Sequence, residues 1–254
     1  MRRPRASASA ALAAAVLACS APGSAPPGQD QKSLPGLGLM GTVPVYWGES
    51  ASLGSLLADH GERHWARPVL EKHFRLAPVD ALDQASLSGL RYLLMAQPRA
   101  LAPAENVALD AWVRGGGKLL LLADPQMTGR TRYPLGDKRR PQDVALLSPI
   151  LSHWGLALEY VELQSEGYRT LDSGALGLPV NLPGRFVASV RNGPCVVTAS
   201  GVVARCAIGR GQAVLVADAA VLDLQAPQAA ARPALDMLLG QAFGKLGYRA
   251  GRPR

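Results

Sequence analysis

Apolar positions along this chain fall into two rhythms, and the clearest switch between them runs from Leu101 to Pro125, LAPAENVALDAWVRGGGKLLLLADP. Leu109, Trp112 and Val113 recur at i, i+3 and i+4, while Asn106, Asp110 and Arg114 form a polar stripe, so the spacing predicts a helix with one buried face. Pro103 suits the first turn, where its missing N–H costs nothing, and Glu105 sits where the helix dipole favours a negative charge. Gly115 to Gly117 stop the helix and allow a tight reversal. Leu119 to Leu122 is then an unbroken apolar run, which as a strand is buried on both faces, the mark of a parallel sheet covered by helices. Tyr92 to Ala96 is a similar run upstream, so strand, helix and strand make a right-handed βαβ crossover.

Elsewhere the pattern is weaker. Leu37 to Trp47 should hold a first strand, with Pro44 marking an edge or bend and Gly48-Glu49-Ser50 a turn at its carboxyl end. Residues 51–62 read as a short helix or loop, Trp65 to Phe74 as a firmer helix, Leu76 to Val79 as a second strand and Asp80 to Ser88 as a loop. After Asp124 comes a long charged excursion carrying Arg130, Arg132, Lys138, Arg139 and Arg140, a length that tends to be functional or mobile. Val144 to Trp154 predicts a helix, Leu156 to Val161 a strand, and Gln164 to Val190 short strands and turns. Ala213 to Ala217 is another apolar strand, ending in Asp218, and Arg232 to Leu246 a closing helix.

With 254 residues, 48% of them hydrophobic, the chain can bury the core of one globular domain, expected over residues 37–248 with a short tail at 249–254. The first residues read as an export signal, a basic start followed by a short apolar core of small residues. That core is about half the roughly 20 residues a spanning helix needs. Val16-Leu17-Ala18-Cys19 resembles a lipobox, which would make residues 1–18 a signal peptide and Cys19 the lipidated first residue; ordinary cleavage near Ala18, Ala21 or Ala25 is the alternative. The Pro-, Gly- and Ser-rich stretch 19–36 would be a flexible tether. The formal charge is +8, but without Arg2, Arg3 and Arg5 only 24 basic residues stand against 19 acidic ones. With no zinc pattern, recognition-helix motif or basic stripe interleaved with aromatics, nucleic acid is not an expected partner. Cys195 and Cys206 flank a segment whose middle, Ser200-Gly201, suits a two-residue hairpin turn that sets the two cysteines opposite one another, within reach of a disulfide.

The stretch RYLLMAQPRALAPAENVALDAWVRGGGKLLLLADP is similar to the gliding-motility ABC-transporter auxiliary (Gldg-type) family, most clearly from about Leu39 to Pro125. The resemblance implies a fold like class I glutamine amidotransferases, a flavodoxin-like α/β three-layer sandwich with a mainly parallel sheet, here carrying a C-terminal β-hairpin. It also implies a non-catalytic extracytoplasmic module beside an ABC transporter or envelope machine; the export signal and lipobox add the expectation that the module is periplasmic and membrane-anchored through Cys19. True amidotransferases need a nucleophilic cysteine at a strand-to-helix turn, whereas no cysteine lies between Cys19 and Cys195, and the corresponding strand end reads Gln97-Pro98. There is no G-x-S-x-G elbow either.

In a parallel sheet Glu49, Gln97, Asp124 and Asp218 all fall at carboxyl ends of strands and could line one crevice. Three carboxylates there could hold a hard cation or act as acid and base, which keeps a carboxylate- or metal-dependent hydrolase of an envelope glycan or peptide as the alternative function. They could equally accept hydrogen bonds from helix starts and loop backbone. Tyr46 and Trp47 could form a stacking platform for a small molecule or glycan, and Arg139 and Arg140 could close over an anion. His60, His64, His73 and His153 lack a metal-ligand spacing, and no cofactor or metal is expected.

Overall fold

The structure, a computed structural model, describes residues 34–49, 63–172, 177–191, 193–224, 226 and 228–244. The signal segment, Cys19, most of the tether, residues 50–62 and the tail lie outside the described residues.

The centre is the crossover read from the sequence: β3 (Tyr92–Ala96), α3 (Pro103–Arg114) and β4 (Lys118–Leu122), with the strands parallel and Tyr92 to Ala96 opposite Lys118 to Leu122. Their apolar runs are unbroken because alternate side chains feed two cores. Leu94, Ala96, Leu120 and Leu122 pack with α1 (Ala66–Glu71) and α5 (Gln228–Phe243) on one face. Leu93, Met95, Leu119 and Leu121 pack with α3, α2 (Gln84–Leu87) and α4 (Ser148–His153) on the other. Each fully buried leucine contributes about 2 to 3 kcal/mol of transfer free energy, so both faces hold the sheet.

Around this pair stand β1 (Gly36–Gly41), β2 (Arg75–Pro78), β9 (Cys195–Val197), β10 (Val203–Ile208) and β11 (Gly211–Val216), giving one seven-stranded sheet in the order β2-β1-β3-β4-β11-β10-β9. The strands from β2 to β11 are parallel, in the 2-1-3-4-5 order of a flavodoxin-like sheet, and β10 and β9 continue it antiparallel. The fold is therefore α/β, a three-layer sandwich with a mainly parallel sheet and a C-terminal hairpin. Cys195 lies opposite Cys206 and Ala204 opposite Val197, the register the Ser200-Gly201 turn requires, and the two cysteines form a disulfide.

Helix α3 starts on a side-chain cap supplied from its third residue: Glu105 accepts from the N–H groups of Ala102 (2.8 Å) and Leu82 (3.0 Å), and Arg99 grips both its oxygens. That guanidinium hydrogen bond holds the Glu105 carboxyl down at about 2. After the helix Gly117 is required by space, since a Cβ there would fall 2.4 Å from the Trp112 ring. The Trp112 indole in turn donates to the Leu90 carbonyl at 3.0 Å.

Several expectations need correction. The first strand ends at Gly41, so Tyr46, Trp47 and Glu49 stand on a loop beyond it. Residues 80–88 include the short helix α2, started by the Asp83 carboxylate accepting from Ser86 N–H at 2.7 Å. Helix α4 is shorter than its apolar pattern, because Ala145 is held by its N–H to the Asp124 carbonyl (2.9 Å) instead of by a helical turn. The strand after it, β5 (Leu156–Glu159), leaves the main sheet and pairs with β8 (Arg185–Ala188), while β6 (Arg169–Asp172) pairs with β7 (Gly177–Val180). Helix α5 begins four residues before Arg232 and accommodates Pro233 near its start.

Candidate functional site

The carboxyl edge of the parallel strands is built around Gly41, Gln97, Asp124 and Asp218. Gly41 has φ +154°, and a Cβ on it would lie 1.9 Å from the Ala96 carbonyl oxygen, so β1 can press against the end of β3 only because this residue is glycine. Thr42 follows; its hydroxyl donates to the Gln97 carbonyl and accepts from Gln142 N–H. Gln97 sits at φ +47° and is wholly buried. Its amide donates to the carbonyls of Asp124 and Gln142, both at 2.9 Å, and its oxygen accepts from Asp124 N–H at 2.8 Å. One side chain thus ties together the ends of β3 and β4 and the far limb of the arginine-rich loop.

The strand-end carboxylates are equally occupied. Asp124 accepts from Gln126 and Ala219 N–H groups at 2.8 and 3.3 Å, and Asp218 from Asn181 and Ala220 at 2.8 and 2.5 Å. Burial pushes the Asp124 carboxyl up to about 6. It also raises Asp218 well above the ordinary carboxylate range, helped by the neighbouring Asp124 charge. Glu49, also buried, accepts from Arg132 N–H at 3.1 Å and lies 3.6 Å from the Arg132 guanidinium. A third buried aspartate, Asp223, carries no sequence signal; it accepts from the Tyr168 hydroxyl at 3.0 Å, and burial pushes it up to about 7. Burial, and after it the neighbouring Asp223 charge, also raise the Tyr168 phenol. His64, beside this group, is lowered to about 4 by burial, and its contacts fit a neutral ring: Nε2 donates to the Leu222 carbonyl (2.8 Å) and Nδ1 accepts from Ala66 N–H (3.2 Å). No group of three or more His, Cys, Asp or Glu side chains arranged to hold a metal ion occurs among the described residues.

The open feature lies next door. A cleft of about 560 Å³ sits at the carboxyl end of β1, where the chain leaves toward β2 on one side and β3 on the other, the switch point at which open α/β sheets bind ligands. Its floor is apolar, from Leu39, Val43, Val79 and Leu94, and its rim carries Tyr46, Trp47, Tyr133, Lys138 and Arg139. Tyr46 and Trp47 meet edge to face at 4.7 Å between ring centroids, and the Arg67 guanidinium backs the Tyr46 ring at 4.6 Å. Trp47 is 64% exposed. Arg139 lies 4.3 Å over the Tyr133 ring and forks onto Asp137 at 2.7 and 3.1 Å.

Of the residues singled out from sequence, Tyr46, Trp47 and Arg139 come together on this cleft. Glu49, Gln97, Asp124 and Asp218 are buried beneath the loops instead. Arg140 turns to Asp143 (3.0 Å) and the Tyr133 carbonyl (3.1 Å). Lys138 and the floor residues Val43 and Val79 were not anticipated; the alternation of valines after Gly41 was the available signal for the floor. A second hollow of about 760 Å³, lined by Gln126, Thr128, Arg130, Tyr168 and Asn181, is more polar and lies away from the switch point.

No family model matches this sequence, and no curated protein matches it significantly. Among solved structures the chain is similar to the mmIFT52 N-terminal domain (12% identity, TM-score 0.49, covering 81% of this chain and 96% of that one). It is also similar to the exo-β-1,4-mannosidase Op5Man5 from Opitutaceae bacterium strain TAV5 (16%, TM-score 0.48, 83% and 36%) and to a β-galactosidase from Rahnella sp. R3 (12%, TM-score 0.47, 82% and 31%). The chain spans about a third of each glycosidase. At these scores the likenesses carry no argument about activity.

Proposed function

We propose that this chain is a non-catalytic extracytoplasmic binding or scaffolding module, tethered through lipid on Cys19 and auxiliary to an ABC transporter or another envelope machine, with its ligand in the switch-point cleft. The observation that carries the reading is the division of labour at the carboxyl edge. Among the described residues the strand-end carboxylates Asp124 and Asp218, together with Asp223, are buried and accept hydrogen bonds from the fold itself, while the open cleft offers mainly aromatic, apolar and cationic surface, with Asp80 as its one carboxylate. The disulfide Cys195–Cys206 supports an oxidising compartment, and the similarity to the gliding-motility auxiliary family supports the partner class. No helix among the described residues is long and apolar enough to cross a membrane.

Two measurements test this. Intact mass and fractionation of the protein and its Cys19→Ser variant in a Gram-negative host should give a lipidated chain starting at Cys19, released from membranes by the substitution. Native mass spectrometry after incubation with an envelope extract should show a small-molecule adduct that Trp47→Ala diminishes. Hydrolysis of envelope glycan or peptide, abolished by Asp124→Asn, would replace the binding reading with the hydrolase alternative.

A further inference from the structure

We infer that the cleft takes an amphiphilic organic anion, an apolar body the size of a medium acyl chain or two fused rings with one acidic head at Lys138. This rests on the binding-module reading and assigns its ligand class. The walls decide the body. Leu39, Val43, Val79 and Leu94 offer no polar side-chain atoms, and the one hydroxyl in the lining below the rim, Thr42, already donates to Gln97 and accepts from Gln142. A sugar placed there would lose water from its hydroxyls without side-chain partners to replace it, a cost of about 1 to 3 kcal/mol for each group. An alkyl or aryl body loses nothing and gains contact with the floor and with the edge-to-face Tyr46–Trp47 pair that lines the cleft. The volume of about 560 Å³ lies within the range of pockets for small organic ligands.

The rim decides the head. Arg139 is already forked onto Asp137, and its guanidinium is laid over Tyr133. Asp80 also lines the cleft, and Arg99, whose guanidinium is forked onto Glu105, donates to the Asp80 backbone carbonyl at 2.8 Å. Lys138 lines the cleft, is exposed and has no ion-pair partner among the described residues. An ammonium on a flexible stem beside a greasy opening is matched by a carboxylate, sulfonate or phosphate carried on an apolar body, which keeps its own charge in water while the body is buried.

The test uses the full chain carrying Cys19→Ser, which needs no detergent, and follows calorimetric and tryptophan-fluorescence titrations with decanoate, anilinonaphthalene sulfonate, 1-decanol and maltose. Expected are saturable one-to-one binding of both anions, affinity for decanol lower by about tenfold or more, and a similar loss for decanoate in Lys138→Ala, with Trp47→Ala weakening every apolar probe. Equal affinity for decanoate and decanol, or no effect of Lys138→Ala, overturns the assignment of the head. Maltose binding without decanoate binding overturns the amphiphile and leaves the module reading standing. If neither anion binds at about 1 mM the inference fails, alone if the envelope-extract adduct persists and together with the module reading if that adduct is also absent.

Discussion

Replacing Asp223 with Asn isolates what an ionisable carboxyl costs this fold when it is buried. Asp223 is 4% exposed, receives the Tyr168 hydroxyl at 3.0 Å and is pushed by burial from 3.8 to about 7. Because the folded state holds this proton more tightly than the unfolded one, the stabilisation is complete below about pH 4 and is lost as pH rises through about 7. A displacement of roughly three pH units corresponds to about 4 kcal/mol lost by pH 8, against roughly 1.5 kcal/mol already lost at pH 5. Asparagine keeps an oxygen for Tyr168 and never ionises. Urea denaturation should therefore find the stability of Asp223→Asn relative to the parent about 2.5 kcal/mol greater at pH 8 than at pH 5. The comparison across pH removes the contribution of His64, whose lowering to about 4 acts oppositely by favouring the unfolded state as pH falls below 6.5, while Asp218, raised in part by the Asp223 charge, and Asp124, whose charge helps raise Asp223, are relieved in the same direction by the substitution. A stability difference that stays constant between pH 5 and pH 8 refutes the argument, since it would mean that Asp223 titrates alike in both states.

Gly41→Ala should be severely destabilising, by about 3 kcal/mol or more, because the Cβ meets backbone and not a movable side chain; loss of a cooperative thermal transition near the parent temperature is the readout. Glu105→Ala leaves two N–H groups and Arg99 without their acceptor and should cost about 2 to 4 kcal/mol, a loss that chemical denaturation should show undiminished at pH 5, where the carboxyl held at about 2 is still ionised. Reduction of Cys195–Cys206, which closes a loop of 11 residues, should lower stability by about 3 kcal/mol, read as a shifted urea midpoint with and without reductant.

The β3-α3-β4 unit was legible because local and long-range preferences agree there: the glycine stop, the capping glutamate and two all-apolar strands admit one arrangement. The hairpin register followed from one turn and the period of two along a strand. Legibility failed where a segment's fate is set by a distant partner. Leu156 to Glu159 reads as one more strand of the sheet, and its pairing with Arg185 to Ala188 has no local signature. Ala145 and Leu146 fit one apolar face of a helix with Ile150 and Leu151, but Ala145 is fixed by its N–H bond to the Asp124 carbonyl and by core contacts, and Leu146 is exposed. At the candidate site, the positions of Gln97, Asp124 and Asp218 at strand ends were readable, while the direction of their side chains depended on which loop N–H groups surround them. Lys138 stood in a run of charges, and only the structure separates it from its paired neighbours Arg139 and Arg140.

The antiparallel end of the sheet also governs how copies of this chain meet. Strand β9 is three residues long and covalently joined to β10, with Val196 73% exposed beside its free edge. A longer bare edge with such a valine would recruit a neighbouring chain by continuing the hydrogen-bond ladder. Here the ladder offers too few unpaired groups to be extended, and the covalent link prevents the strand from slipping or peeling to expose more, so crowding of copies leaves this margin unable to seed fibrous growth.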